Sequence, residues 1–562
     1  MIQEIEEFIK PVFDSFNYEF YVSESNKKEL CDYQINSLFR IAKDKKINLL
    51  EIGQDITAKI NDLENFDNYF KKVEFLNGFI NLTVSDKFIN KWINNTLHNL
   101  GVKKVENTET YYLDYGGPNI AKPLHIGHLR PAIIGESLKR IINYKGYKTI
   151  SDVHLGDYGL QMGQVIYGIK RDKIKLEDIN IEYLNKCYPE ISALCKNDEQ
   201  VYEECKTIVK ELQSGNQEYN DLWKKIYEVS LEDIKRLYNY LDINFDLWLG
   251  ESDTKPYIPK LINVLTEKGL LVSDNNAKVV FLKEDTDNKE MPPLIVEKSD
   301  GSFMYATTDL SAIYERIEKY NPKYILYVVD ARQSLHFEQV FRVCKKIGWQ
   351  NQLEHIAFGT INGSDGKPFK TRSGETLKLD ELIQMTKETF IQKREENANM
   401  KKEDLDIIVN AIIKYADLSN NREKNYIFDL TKFSDINGKT GPYILYSALR
   451  IKKVLDQSEY LGKVSDNIYD GIDRDLRIKL LDFDKYITKS IEERLPSVIA
   501  EYLYDVADLS SKFYQNNNIS NLTDLTKKND WLIILNYAYN VMRDCLNMLG
   551  IKIPSKMWQN VI

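Results

Sequence analysis

The 562-residue chain reads as an α/β protein. A central parallel-sheet domain with helical insertions is preceded by a small α+β domain and followed by an all-helical bundle. Three observations predict this. A strand, a glycine-rich turn, a helix and a second strand follow one another between residues 110 and 153. The near-continuous apolar run Tyr324-Ile-Leu-Tyr-Val-Val329 has the pattern of a parallel strand buried on both faces. From about residue 400 onward, apolar residues recur at helical spacing. Composition agrees, because 43% hydrophobic and 29% charged residues describe a globular chain rather than a disordered or fibrous one. The length suits roughly three domains.

The elements follow in order. The first part mixes helical periods with two alternating runs, Lys72-Val-Glu-Phe-Leu and Gly78-Phe-Ile-Asn-Leu-Thr-Val, split by an Asn-Gly turn signal. Val102 to Thr110 is polar and reads as a linker. Thr110 to Asp114 is strand-like and Tyr115-Gly-Gly-Pro-Asn119 is a turn. Leu129, Ile133, Ile134, Leu138, Ile141 and Ile142 then share one helical face, Gly146 stops that helix, and Lys148 to Val153 resumes a strand. Pro131 has no N–H, so regular helix is expected no earlier than about His128. Residues 171–270 are helical and strongly charged, either an insertion or a second layer. Lys278 to Leu282 and Leu294 to Glu297 are strand-like. Asp406–Tyr415, Tyr443–Leu455, Arg494–Phe513 and Trp531–Leu549 carry the spacing of a helical bundle. The expected domains are 1–105, 106–395 and 396–562.

The net charge is −9, from 76 Lys+Arg and 85 Asp+Glu. Taken alone it argues against a nucleic-acid partner. It is unevenly spread, however: residues 401–562 hold 23 of each sign, so the whole excess lies in 1–400. An acidic sum is compatible with an RNA gripped by local patches. The six cysteines show no CxxC spacing, which disfavours zinc or redox motifs and suggests free thiols in a reducing compartment. The N-terminus MIQEIEEFIK has no signal-peptide pattern, and no run approaches the roughly 18 apolar residues of a membrane span. The expected location is the cytoplasm.

Five of the six histidines lie in the βαβ region, and two of them stand in Pro123-Leu-His-Ile-Gly-His128 at the opening of a helix. A helix N-terminus attracts phosphate through its unpaired N–H groups and positive partial charge. Histidines at i and i+3 can donate to the same anion, and Gly127 leaves room for a flat base. Asn119, Lys122 and Arg130 crowd the same corner. A partial metal site and a pair of solvated histidines remain alternatives at this point. A second basic element, Gly366-Lys-Pro-Phe-Lys-Thr-Arg-Ser-Gly374, could neutralise a triphosphate or be an ordinary turn. In Met304-Tyr-Ala-Thr-Thr-Asp-Leu310, Tyr305 and Asp309 share a face if a helix starts there, and could hold a cation; Asp309 could equally be a plain helix-start residue.

Taken together, these segments resemble the class I aminoacyl-tRNA synthetases. His125-Ile-Gly-His128 is that class's HIGH signature without substitution. Gly117-Pro-Asn-Ile-Ala-Lys-Pro-Leu-His-Ile-Gly-His-Leu-Arg130 resembles the arginyl family in particular. So do Gly156-Asp-Tyr-Gly159, Tyr305-Ala-Thr-Thr-Asp309, Gln333-Ser-Leu-His-Phe337, Lys414-Tyr-Ala-Asp-Leu418, Thr440-Gly-Pro-Tyr-Ile-Leu-Tyr446 and Arg450. Two positions depart from the family pattern. The second class signature is degenerate, as Phe369-Lys-Thr-Arg-Ser373, and Pro131 stands where the family often has serine.

The resemblance implies a Rossmann-type catalytic domain between an N-terminal α+β tRNA-contacting domain and a C-terminal anticodon-binding bundle. It also implies ATP-dependent attachment of arginine to tRNA(Arg) through an arginyl-adenylate. Asp114 and Asn119 would hold the ammonium and carboxylate of arginine, and His128 would lie at the reacting carboxylate. Tyr305, Asp309 and Gln333 would take the side chain, with Glu251 as a second carboxylate. His125, Gly127, His128, His336 and Lys370 would contact ATP, and Lys122, Lys370 and Arg372 would supply cations to its phosphates. Tyr443, Tyr446 and Arg450 are candidates for tRNA contact. Mg²⁺ would arrive with ATP, no metal would be bound by dedicated residues, and the enzyme would act as a monomer away from membranes. The rival readings are a cysteinyl enzyme, a small nucleotidyltransferase and a synthetase-like RNA binder without activity.

Overall fold

The computed structural model describes all residues except 26, 28–29, 107–108, 300, 364, 368, 370–376, 394–398 and 558–562, and the side chain of residue 520. Its contacts divide the chain into two compact units. One comprises Met1–Lys103, Ser447–Tyr486 and Leu503–Asp544; the other comprises Lys104–Tyr446, Ile487–Tyr502 and Cys545–Ile562.

The second unit is built on a parallel sheet in the spatial order Gln352–His355, Tyr324–Val328, Thr110–Tyr115, Lys148–Asp152. From Thr110–Tyr115 the chain first moves to Lys148–Asp152 on one side and later returns to Tyr324–Val328 on the other. The strand order reverses at that point, which opens a crevice at the carboxyl ends of the two strands. Side chains alternate across the sheet. Tyr115 points to helix Ile126–Lys145, where its hydroxyl donates to Glu136 Oε2 at 2.8 Å. Tyr112 packs with Leu310 and Ile313 of helix Tyr305–Tyr320 on the opposite face. Residues 244–250 run beside 151–155 through parallel bridges at Asp152–Leu247 and Leu155–Gly250. Helices Leu160–Asp172, Ile181–Asn197, Glu199–Gln213 and Gln217–Tyr240 lie in the chain between those paired segments, so the charged stretch is an insertion.

The helix after the glycine-rich turn begins at Ile126, two residues before the position expected from Pro131. The expectation overstated the cost of the proline. Pro131 is the sixth residue of the helix, and a missing N–H deletes only the single bond that would return to residue 127. The preceding segment is also fixed from outside: Ile126 N–H donates to Leu377 O at 3.0 Å, and Leu379 N–H donates to Leu124 O at 2.9 Å.

The first unit holds a four-stranded antiparallel sheet in the order Val22–Glu24, Tyr33–Ile35, Phe79–Val84, Phe70–Leu76. Asn77 and Gly78 turn its hairpin with φ of 52° and 87°, the left-handed pair that matches strand twist. Helices Ile2–Asp14 and Leu49–Asn61 bury Ile5, Ile9, Phe13, Ile52, Ile56 and Ile60. Helix Gly471–Leu481 belongs to the same unit. Its Arg474 grips both oxygens of Asp32 at 2.7 Å, and its fully buried Arg477 holds Asp473 and Asn90 at 2.7 Å. Asp473 is one helical turn from Arg477, but Asp32 and Asn90 lie hundreds of residues from the arginines that hold them, so no local pattern announces those two bonds. Among the described residues no helix is long and apolar enough to cross a membrane. The six cysteines are free, five of them buried.

Candidate active site

A cavity of about 800 Å³ lies at the crevice of the parallel sheet, lined by Asp114 and Tyr115 from one strand and Tyr327 and Val328 from its neighbour. The HIGH segment forms one wall. His125 caps its own helix: its Nδ1 accepts from Gly127 N–H at 3.1 Å, while His128 Nδ1 accepts from His125 N–H at 3.1 Å. An accepting nitrogen carries no proton, so each neutral ring keeps its proton on Nε2. Burial, helped by Lys122, pushes the His125 pKa down to about 4. Burial, then His125 and Lys122, holds His128 well below the usual imidazole range. The two rings, with centroids 3.9 Å apart, are therefore neutral Nε2–H donors at physiological pH. Gly127 is required by this arrangement, since a Cβ there would lie 2.9 Å from His125 Cε1. Lys122 lines the same wall.

Arg130 lines the cavity but spends its charge elsewhere. Its Nε lies 2.9 Å from Asp417 Oδ2, and its Nη1 donates to Gly359 O at 2.6 Å. This buried pair ties the HIGH helix to helix Lys402–Leu418. Asn119 is not among the lining residues. It sits on the turn that Gly156 clamps, with Ile120 N–H donating to Gly156 O at 2.9 Å and Gly156 N–H to Pro118 O at 3.1 Å. A Cβ on Gly156 would come within 2.1 Å of Asn119 Oδ1, which accounts for glycine at that position.

Two groups of carboxylates face the cavity. At one, Asp309 and the exposed Tyr305 occupy the first turns of helix Tyr305–Tyr320, and Glu251 opens a short turn at Glu251–Tyr257. Burial pushes the Glu251 carboxyl up to about 7; Asp157 and Asp309 add to this and His154 opposes it. His336 Nε2 lies 2.5 Å from Asp309 Oδ2, so this histidine stands beside the Tyr305–Asp309 pair, and Gln333 is on the rim just before its helix. At the other, Asp114 sits in one row of the sheet between Tyr327 and Asp152. Buried Arg316 donates through Nη2 to Asp114 Oδ2 at 2.6 Å and Asp152 Oδ2 at 3.0 Å, and through Nη1 to the Tyr327 hydroxyl at 2.9 Å. Asp114, Asp152 and His154 offer ligand atoms within 4.8 Å of one another, but the Arg316 guanidinium already supplies the cation that such a trio would ask of a metal.

Of the basic loop at 366–374, Lys370 and Arg372 lie outside the described residues, as does the C-terminal Trp558 to Ile562; Phe369 lines the cavity. Tyr443, Tyr446 and Arg450 stand on helix Gly441–Asp456 and are not among the lining residues. All three are half-buried, and the Arg450 guanidinium lies 4.6 Å from the Tyr514 ring centroid. Sequence reasoning passed over Arg316 and His154. The available signal was an aspartate at or next to the end of each of two strands, Asp114 and Asp152, a pair that calls for a buried cation.

Comparison with known proteins accords with this geometry. Residues 92–430 match the family described as class I (R) tRNA synthetases, catalytic domain; residues 444–557 match the DALR anticodon binding domain, and residues 1–84 match the arginyl tRNA synthetase N terminal domain. An arginine–tRNA ligase of Alkaliphilus oremlandii is 39% identical, covering 99% of this chain and 100% of the relative. One from Agathobacter rectalis is 38% identical with the same coverage. The arginyl-tRNA synthetase of Plasmodium falciparum superposes with a TM-score of 0.81 at 24% identity, covering 99% of each chain. The Thermus thermophilus arginyl-tRNA synthetase also gives 0.81, at 18% identity, covering 99% of this chain and 100% of the other.

Proposed function

The chain belongs to the arginyl-tRNA synthetases of class I, an enzyme family that attaches arginine to tRNA(Arg) with ATP, and on that premise we propose how its own residues divide the work. The arginine carboxylate attacks the α-phosphorus of ATP and pyrophosphate leaves; the terminal 2′-hydroxyl of the tRNA then takes the arginyl group from the adenylate. The carboxylate is already an anion, so the first step needs no strong base. Catalysis rests on positioning and on stabilising phosphate charge.

His125 and His128 serve as Nε2–H donors to the phosphates, next to the helix N-terminus and Gly127. Their neutrality has a use: a ring that gains no second proton in the working pH range gives the same Nε2–H hydrogen bond across it. Lys122 adds charge on the same wall, and Lys370 and Arg372 are assigned to the same phosphates. Asp114 takes the ammonium of arginine, and Asn119 steadies the carboxylate. Asp309, Glu251, Tyr305 and Gln333 receive the guanidinium, whose planar fork of donors asks for carboxylates in fixed geometry. His336, which stands at Asp309 on the cavity wall, is assigned to ATP contact. Mg²⁺ comes as the ATP complex, held by phosphates rather than a protein cage.

We assign tRNA contact to residues 1–105 and 396–562, with Tyr443, Tyr446 and Arg450 as anticodon-side candidates, and catalysis to 106–395. The enzyme is read as a cytoplasmic monomer. The observation that carries the reading is one cavity joining two neutral histidine donors to a carboxylate group that, among the described residues, has no arginine or lysine paired with it. Pyrophosphate exchange with each amino acid, with and without tRNA, tests it. Exchange with arginine alone is expected; exchange with lysine or cysteine in its place overturns the assignment.

A further inference from the structure

Arginine carries two cations, an α-ammonium and a guanidinium, and the cavity offers two carboxylate groups. Charge alone would let the substrate bind either way round, yet only one orientation brings its carboxylate to ATP. The two groups differ in one respect. Asp114 and Asp152 share a resident guanidinium, that of Arg316. Asp309 and Glu251 do not.

We propose that Arg316 is a positioning residue that sets the direction in which arginine binds. The inference rests on the reading of this cavity as the arginine site. Arg316 lies between the rings of Tyr112 and Tyr327, 4.7 and 5.4 Å from their centroids, with its Nη1 on the Tyr327 hydroxyl. It cannot swing away without taking the guanidinium from Asp152 and the only hydrogen-bond donor that Asp114 has among the described residues, a heavy cost in a buried site. It occupies Asp114 Oδ2, and among the described residues nothing donates to Asp114 Oδ1. A guanidinium binds a carboxylate best through both oxygens at once. Asp114 Oδ2 is already bonded to one guanidinium, so Asp114 keeps only Oδ1 without a donor, which suits an ammonium better than a second two-pronged fork.

The charge count points the same way. Burial pushes the Asp114 carboxyl up, against the pull of Arg316; with both carboxylates ionised, Asp114, Asp152 and Arg316 sum to one negative charge, which one ammonium completes. Asp309 and Arg316 stand seven residues apart on helix Tyr305–Tyr320 and so share its face, about 10 Å apart along the axis. One helix thus carries the receiver for one end of the substrate and the plug that reserves the other. Burial alone would lower the Arg316 pKa, but Tyr327, Asp114, Tyr112 and Asp152 together hold it well above the ordinary value, so the plug stays charged.

The test is arginine-dependent pyrophosphate exchange by Arg316→Lys and Arg316→Ala, with tRNA present. Arg316→Lys keeps the charge but not the two-pronged grip. It is expected to melt close to wild type, with KM for arginine raised roughly tenfold or more and KM for ATP changed less than about twofold. In Arg316→Ala, added methylguanidine should fill the vacated place and bring KM for arginine back toward wild type, whereas methylammonium should not. With the wild type, methylguanidine should only inhibit, in competition with arginine. Unchanged KM for arginine in Arg316→Lys, KM values for arginine and ATP rising together, or equal rescue by methylammonium would overturn the proposal. If Arg316→Ala does not fold, the KM split of Arg316→Lys decides alone. A wild type that does not use arginine at all would instead defeat the reading of the cavity.

Discussion

Two buried arginines, one in each compact unit, make nearly the same bonds to different ends. Arg477 closes on Asp473 through Nε and Nη2 and on Asn90 through Nη1; Asp473 Oδ2 also accepts from Trp531 Nε1 at 3.2 Å and Tyr469 N–H at 3.1 Å, and neither charged side chain has any exposure. Arg316 closes on Asp114, Asp152 and Tyr327, but Asp114 keeps an open oxygen and 12% of its side chain exposed on a cavity. A saturated cluster can only hold the fold. A cluster one donor short of saturation can take a ligand.

The comparison can be broken in stages. The largest effect expected is on stability: Arg477→Met strands the Asp473 charge and should cost about 3–5 kcal/mol in denaturant unfolding. The folded fraction should keep its KM for arginine. A shifted KM would show that the saturated cluster also serves the site. Next, if His128 donates to phosphate as proposed, His128→Ala should lower kcat by roughly 100- to 1000-fold while KM for arginine moves far less. A rise in KM alone would remove that role. Asp309→Asn keeps the shape of the guanidinium end and loses its charge; KM for arginine should rise roughly 30- to 100-fold, about 2–3 kcal/mol, with little change in melting temperature.

The smallest effect concerns pH. Glu251, raised by burial to about 7, is partly protonated before arginine arrives, and a bound guanidinium favours its anion. Arginine binding therefore releases a proton, so KM for arginine should fall as pH rises from 6 to 8, by at most about tenfold per unit. Glu251→Gln should flatten the profile. The stability sign is opposite. The folded carboxyl holds its proton through the window from the ordinary 4.5 up to about 7, so this group stabilises the fold at low pH and loses that contribution as pH rises through 7.

Much of this was legible in the sequence, for reasons that can be named. The strand–turn–helix at 110–145, the Asn77-Gly78 hairpin and the buried strand at 324–328 are local patterns with local causes. Tyr305 and Asp309 could be placed on one helical face by spacing alone. The start of the HIGH helix was misjudged because one strong local rule, proline's missing N–H, was weighed without the pairing of 124–126 with 377–379, which is non-local. Arg316 was missed for the same reason: in Ala312-Ile-Tyr-Glu-Arg316 it looks like any exposed helix charge, and only the register of Asp114 with Asp152 and Tyr327 turns it inward. The joining of Asp32 to Arg474 likewise has no sequence signature.

If the Asp309–Glu251 end of the cavity receives arginine as proposed, it reads the charge of the guanidinium. Citrulline replaces that group with a neutral urea of nearly the same shape, so the most direct measurement is kcat/KM for pyrophosphate exchange with arginine and with citrulline, tRNA present. The account predicts rejection of citrulline by about 10⁴-fold or more, with the gap narrowing sharply in Asp309→Asn. Use of citrulline within about tenfold of arginine by the wild type would contradict it.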